Sequence, residues 1–170
     1  MSMFIVGLIQ LNISTSDERI NRYSKLLSQL ALDYDYSLKV GYFHNPYYRN
    51  IFERLYKDYK VNFENSIEFE LADSPVSGSF DNSLIYFQDE CQQQRIYCNG
   101  LPYNSKFFKF LIQLWKMEFI TEMIFVFSYG LYDYDELNHT EASMDEMLKD
   151  IWTYYCNGTI DQYSCYIIRK

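Results

Sequence analysis

Residues 3–13 read Met3-Phe4-Ile5-Val6-Gly7-Leu8-Ile9-Gln10-Leu11-Asn12-Ile13 and are apolar at most positions. Successive side chains of a β-strand point to opposite faces of the sheet. A strand without a polar face is therefore buried on both sides, as in a sheet that helices cover on both faces. We predict a central strand here, with helices packed on the sheet around it.

Two amphipathic helices are predicted in the next part of the chain. Thr15 and Glu18 form a capping box, in which each side chain accepts a hydrogen bond from a free backbone N–H of the other residue. The buried stripe of this helix comprises Ile20, Tyr23, Leu27, Leu30 and Tyr34. Asn45-Pro46 begins the second helix, because proline is favoured at the first helical position. Its apolar face comprises Ile51, Leu55 and Tyr59.

Strand and helix patterns continue to the end of the sequence. The further predicted strands are 36–43, 67–71, 117–128 and 163–168. Asn104 or Ser105 caps a helix whose apolar face includes Phe107, Phe110, Leu111 and Leu114. Ser143 and Glu146 form a second capping box. The stripe that follows it comprises Met144, Met147, Leu148, Ile151, Trp152 and Tyr155.

The segment 80–98 fits two structures. Phe80, Leu84, Phe87 and Cys91 fit one face of a helix, whereas 84–87 and 95–98 fit the two arms of a hairpin. We predict the hairpin, because Asn99-Gly100 is a turn signal and three consecutive glutamines weaken the helical stripe.

Helices alternate with strands at both ends of the chain, and strands follow one another in the middle. This order predicts a mixed α/β (α+β) fold, with one mixed β-sheet of about six to seven strands flanked by about four helices. The 170 residues fit a single domain, and neither a linker nor a long repeat divides them.

The net charge of −8 comes from one stretch of the sequence. Between Met117 and Leu148 there are eight acidic residues and no lysine or arginine, while acidic and basic residues balance in the rest of the chain. Within this stretch, Tyr132-Asp133-Tyr134-Asp135-Glu136 alternates rings and carboxylates. An acidic, aromatic surface of this kind favours a basic partner.

The composition argues against several other partners. A nucleic acid or an anionic membrane requires lysine and arginine, so we predict binding to neither. The N-terminal residues lack the basic region of a secretory signal, and we expect a cytoplasmic protein. The four cysteines show no C-x-x-C spacing, and we interpret them as reduced thiols.

The sequence contains no known catalytic signature, and we predict that the protein is not an enzyme. His44 and His139 are the only histidines, and neither has a partner at ligand spacing, so turn or cap roles are favoured. Asp133 with Asp135, or Glu141 with Asp145, could bind a hard cation. The loop lacks the glycine and glutamate of a calcium-binding loop, and we predict neither a metal nor a cofactor.

Recognition of another protein is therefore the predicted role. Rings provide hot-spot contacts, and carboxylates pair with arginine or lysine of a partner. The alternative interpretation is that the acidic loop only solvates the surface. The predicted partner-binding residues are Tyr132, Asp133, Tyr134, Asp135, Glu136, Glu141 and Asp145.

Length, acidity, aromatic content and the mixed α/β pattern resemble those of the immunity proteins of bacterial polymorphic-toxin and contact-dependent growth inhibition systems. The nearest local feature is the segment 95–103, a strand and an Asn-Gly turn, which leads into the helix containing Phe107 and Leu114. The resemblance implies a stoichiometric inhibitor that neutralises a cognate toxin domain with a basic surface, such as a nuclease. We infer no site residue of this sequence from the resemblance.

Two other classes of function fit the sequence. One is a small enzyme with an unrecognised carboxylate or tyrosine site, which would require a deep pocket. The other is an adaptor or chaperone, which would present a large exposed apolar patch. The sequence predicts no oligomeric state.

Overall fold

The computed structural model describes residues 3–12, 17–41, 46–60, 66–97, 105–129, 134–156 and 164–170. Within these ranges the chain forms five α-helices, six β-strands and a short 3-10 turn at Tyr134–Glu136. The helices are α1 (Asp17–Asp33), α2 (Pro46–Tyr59), α3 (Asp81–Tyr97), α4 (Lys106–Trp115) and α5 (Met144–Cys156). The strands are β1 (Met3–Leu11), β2 (Ser37–Gly41), β3 (Ser66–Ala72), β4 (Ile120–Tyr129), β5 (Asn138–Ala142) and β6 (Ser164–Arg169).

The strands form one mixed sheet in the order β2-β3-β1-β4-β6-β5. Neighbouring strands are antiparallel except β5 and β6, which are parallel. The predicted mixed sheet is therefore confirmed. The first strand is central, as its sequence predicts, because it pairs with β3 on one side and with β4 on the other.

The two faces of β1 belong to two different clusters of buried residues. Ile5 and Ile9 contribute to the larger cluster, to which α1, α3, α4 and α5 also contribute. Val6 and Leu8 contribute to the smaller cluster, together with α2. Because side chains alternate along a strand, the four helices lie on one face of the sheet and α2 lies on the other.

Helix α3 corrects the prediction of a hairpin in residues 80–98. Leu84 and Phe87 are buried on one face of the helix, and Phe80, the residue before it, is buried as well, which is the alternative that their spacing allowed. The segment is only weakly amphipathic, so its pattern did not separate the two structures. Its helical N-terminus is stabilised by Asp73, whose carboxylate accepts hydrogen bonds from the backbone N–H groups of Asn82 and Ser83, both at 2.8 Å.

Strand β5 was not predicted. Its sequence, Asn-His-Thr-Glu-Ala, has no apolar alternation, and most of its residues are exposed. It forms through backbone pairing with β6 at the edge of the sheet. The structure has β5, which was not predicted, and lacks the two predicted hairpin arms, so the described residues form six strands.

Two of the predicted helix caps are confirmed. The Ser105 hydroxyl accepts a hydrogen bond from the Phe108 N–H at 3.0 Å, at the start of α4. At the start of α5, the Ser143 N–H donates to Glu146 at 2.7 Å, and the Glu146 N–H donates to Ser143 at 3.2 Å. The predicted box of Thr15 and Glu18 lies outside the described residues.

Candidate functional site

The predicted binding segment lies between the end of β4 and the first turn of α5. Tyr132 and Asp133 lie outside the described residues. Tyr134, Asp135 and Glu136 form the 3-10 turn, which leads directly into edge strand β5. Glu141 lies on β5, and Asp145 lies in the first turn of α5. The described members of the predicted site therefore lie along one edge of the sheet.

Tyr134 is a buried residue of this turn. It is 5% exposed and packs in the smaller core cluster beneath α2. Its hydroxyl donates a hydrogen bond to Asp58 at 2.8 Å, and burial together with this carboxylate raises its pKa. The Arg54 guanidinium carbon lies over the Tyr134 ring, 4.2 Å from its centroid. In this conformation the ring supports the turn from within and does not face a partner.

Asp135 is exposed and paired with the same arginine. Two Arg54 nitrogens donate to its two carboxylate oxygens at 3.0 and 2.6 Å. This bidentate pair lowers the pKa of Asp135. Arg54 thus fixes Asp135 while resting on Tyr134, and it links α2 to the turn. The sequence did not predict this pair, whose members lie 81 residues apart.

His139 lies on β5 and completes the same group of rings. Its centroid is 4.2 Å from that of Tyr134 and 5.7 Å from that of Tyr59. The ring nitrogen Nε2 lies 3.2 Å from the Tyr134 carbonyl oxygen. Burial lowers the pKa of His139. The residue is therefore a packed part of the sheet edge, whereas the sequence favoured a solvated helix cap.

Arg169 at the end of β6 binds a second set of groups. It donates to Glu141 at 3.0 Å, to Glu122 at 3.2 Å and to the Tyr59 carbonyl oxygen at 2.7 Å. Glu122 is 9% exposed, and burial raises its pKa even though Arg169 acts in the opposite direction. Arg169 therefore ties the end of α2 to the sheet and partly neutralises Glu141.

The first turn of α5 carries two further exposed carboxylates. Glu146 is engaged with Ser143 in the capping box, and these hydrogen bonds lower its pKa. Asp145 forms no hydrogen bond or ion pair within the described part of the chain. Glu136, at the end of the 3-10 turn, is also exposed.

We call this surface the β5 acidic edge; it comprises Asp135, Glu136, Glu141, Asp145 and Glu146. All five residues are exposed. Asp135 and Glu141 are paired with this chain's own arginines, and Glu146 is held in its capping box. The negative field of this edge is therefore weaker than the sequence alone suggests, because Arg54 and Arg169 come from distant segments of the chain.

The described residues contain neither a cluster suited to a metal ion nor a helix suited to a membrane. Across the described ranges, no group of three or more His, Cys, Asp or Glu residues is arranged to hold a metal ion. His44 and the pair Cys91 and Cys98 lie outside the described residues or side chains. No helix within the described residues combines the length and apolar composition needed to cross a bilayer.

Comparison with known proteins assigns no relative. No family model matches the chain, and neither a curated protein nor a solved structure shows a significant match.

Proposed function

We propose that this protein is a stoichiometric inhibitor, an immunity protein that neutralises a cognate bacterial toxin domain by binding its basic surface. The observation that carries the proposal is the β5 acidic edge. Its five exposed carboxylates come from a turn, a strand and a helix, yet they lie along one edge of the sheet. Such a one-sided negative surface attracts a positively charged macromolecule and accelerates its association.

The geometry favours contact through carboxylates. Tyr134 is buried, so the exposed carboxylates Asp135, Glu136, Glu141 and Asp145 are the described members of the predicted site that face solvent. Tyr134 acts indirectly, because its ring supports Arg54 and Arg54 orients Asp135. Tyr132 and Asp133 stay predicted contact residues, and they lie outside the described part of the chain.

The internal ion pairs are compatible with this role. Exposed ion pairs contribute little to the stability of a fold, so an arginine of a partner can replace Arg54 at Asp135 at small cost. A bidentate arginine–carboxylate contact that a partner shields from water is stronger than an exposed one. The edge can therefore release its internal cations when a partner binds.

Strand β5 also leaves part of its backbone available. Among the described strands it pairs with β6 alone, so its outer side has no neighbour in the sheet. Short, charged edge strands resist unspecific pairing with other strands. The polar composition of β5 is therefore compatible both with binding a basic partner and with protection against aggregation.

The experiment is a binding measurement with the toxin domain encoded by the adjacent gene. A triple variant, Glu136→Gln, Glu141→Gln and Asp145→Asn, removes three negative charges from the edge. We expect its association rate with the toxin to fall by about tenfold at low salt and to lose most of its salt dependence. The measurement is stopped-flow or surface plasmon resonance at two ionic strengths.

A matched control removes three exposed carboxylates elsewhere. Asp33, Glu53 and Asp89 lie on α1, α2 and α3 and are all exposed. Their replacement by Asn, Gln and Asn gives the same net charge and is expected to change the rate by less than about threefold. Equal rates for the two triple variants would rule out the β5 acidic edge as the contact surface.

A further inference from the structure

Strand β5 is an open edge of the sheet. Among the described strands it pairs with β6 alone, and no other described element forms a hydrogen bond with the main chain of residues 138–142. Successive residues of a strand direct their N–H and C=O groups to opposite sides, so two or three of its five residues direct both groups away from β6. A row of unpaired backbone groups of this kind is a template for one more strand.

Carboxylates flank this edge on both faces of the sheet. Ala142 packs against the larger core cluster, so its neighbour Glu141 lies on the opposite face, where α2 packs. Asp135 is bound to α2 and lies on the same side as Glu141. Asp145 and Glu146 lie in the first turn of α5, on the face that the four helices cover. A strand laid along β5 would therefore meet carboxylates on each of its own two faces.

The charge of the edge selects among the strands that could occupy it. Pairing β5 with β5 of a second copy of this chain would bring two acidic edges together, and like charges on neighbouring strands are destabilising. A strand that carries lysine or arginine has the complementary charge. Because its side chains alternate between the two faces, basic residues at adjacent positions would each meet carboxylates, one on either face.

The other outermost strand, β2, lacks this charge. It also has five residues and also pairs with a single strand, β3, within the described part of the sheet. Its sequence, Ser-Leu-Lys-Val-Gly, contains one lysine and no carboxylate. The two edges therefore match in length and differ in charge, so β2 is an internal control for any effect that is specific to β5.

We propose that the basic partner binds by adding one β-strand to β5, through an extended segment with lysine or arginine at adjacent positions. The proposal rests on the proposed function, from which it takes the basic character of the partner, and it adds the mode of binding. Main-chain hydrogen bonds hold such a segment, and the side chains beside them provide the selectivity. The carboxylates that protect the free edge from acidic or apolar strands thus admit a basic one.

The first test is amide hydrogen exchange, measured by NMR on the full chain with and without the toxin domain encoded by the adjacent gene. In the free protein, alternate amides of β5 should exchange quickly, because they face water. Saturation with the toxin should slow this fast set by about tenfold or more, since each amide gains a backbone acceptor. The amides of β2 should exchange at the same rate in both samples.

The second test removes one backbone donor. Thr140 and Glu141 are adjacent in β5, so one of them directs its N–H away from β6. The residue whose amide belongs to the fast set is replaced by proline, which an edge strand tolerates at such a position. We expect the toxin to dissociate about tenfold faster, as the loss of one or two hydrogen bonds requires. Alanine at the same position is the matched control, because it keeps the N–H.

Unchanged exchange of the fast set in the complex would overturn the added strand. Equal dissociation rates for folded proline and alanine variants would overturn it as well, and where proline unfolds the chain the exchange measurement decides alone. In either case the proposed function stands if the triple variant of the β5 acidic edge still associates slowly. No binding of the toxin to the wild type would overturn the proposed function together with this inference.

A second copy of the chain is tested in the same samples. If the fast set is already protected in the concentrated free protein and loses that protection on dilution, with a matching change from dimer to monomer in sedimentation, β5 pairs with itself. That result would overturn the basic strand as its occupant. We expect instead a monomer whose β5 exchange is independent of protein concentration.

Discussion

Gly7 lies on β1 at a position where the neighbouring residues leave no room for a side chain. A Cβ added there would lie 1.7 Å from the Ile124 carbonyl oxygen and 2.7 Å from the Phe69 ring. The first of these atoms is backbone in the neighbouring strand β4, so it cannot move without disturbing the ladder between β1 and β4. Only glycine therefore fits at this position.

We expect Gly7→Ala to lower the free energy of unfolding by about 3 kcal/mol or more, because the clash is with backbone. Urea denaturation followed by circular dichroism measures this loss. Gly78→Ala is the control. Its φ of +61° disfavours alanine, but the added Cβ meets only Glu70 Oε1, at 3.7 Å. That variant should lose about 1 kcal/mol. Similar losses at the two positions would contradict the steric argument.

At the scale of secondary-structure elements, those with a clear apolar pattern were predictable and those without one were not. Helix α5 was predicted because Met144, Met147, Leu148 and Ile151 repeat at helical spacing, and all four are buried. Helix α3 was missed because residues 84–87 and 95–98 also fit the two arms of a hairpin, and Asn99-Gly100 is a turn signal. The segment is helical in a fold where it packs against α4 and α5, and the spacing of its apolar residues does not reveal that packing.

Strand β5 and the candidate site were harder to predict for a related reason. Strand β5 forms through backbone pairing with β6, and its sequence has no alternation of apolar and polar side chains that would predict a strand. The acidic character of the segment was visible in the sequence. Its neutralisation by Arg54 and Arg169 was not, because those residues reach it only through the fold.

The position of His139 on β5 leads to a prediction about pH. Burial lowers its pKa from the ordinary value of 6.5, although Tyr134, Asp58 and Asp135 act to raise it; Arg54 lowers it further. The unfolded chain therefore binds a proton more tightly than the folded chain does. This contribution to stability is present above about pH 6.5 and is lost as the pH falls through the lowered pKa of the folded state.

We compare the wild type with His139→Gln by urea denaturation between about pH 7.5 and pH 5. The difference in unfolding free energy, wild type minus variant, should decrease as the pH falls. Burial raises the pKa values of Glu90 and Glu122, which gives the opposite pH dependence. Those groups are present in both proteins, and their contribution cancels in the difference. A difference that is constant with pH would show that His139 is not the titrating group.

At the scale of the whole molecule, one sheet connects two separate core clusters. Trp115 and Trp152 pack against the larger cluster, on the face that α1, α3, α4 and α5 cover. Cys165 lies in the smaller cluster on the opposite face, where α2 packs. Both clusters draw on the same strands β1, β4 and β6. Loss of either helix layer exposes the buried face that it covers on these shared strands, so we expect the two layers to unfold together.

Cys165 reports on unfolding of the face that α2 covers, whereas the two tryptophans report on the four-helix face. Its side chain is fully buried, and burial raises the pKa of the Cys165 thiol to about 12, so both access and thiolate formation are suppressed in the folded protein. We expect thiol labelling, resolved by peptide mass spectrometry, to follow urea with the same midpoint as tryptophan fluorescence. Labelling of Cys165 at clearly lower urea would mean that α2 separates from the sheet while the four-helix face stays folded. In that case the two clusters would be independent units, and Arg54 and Arg169 would not be strong enough links to make the β5 acidic edge a rigid surface for a partner.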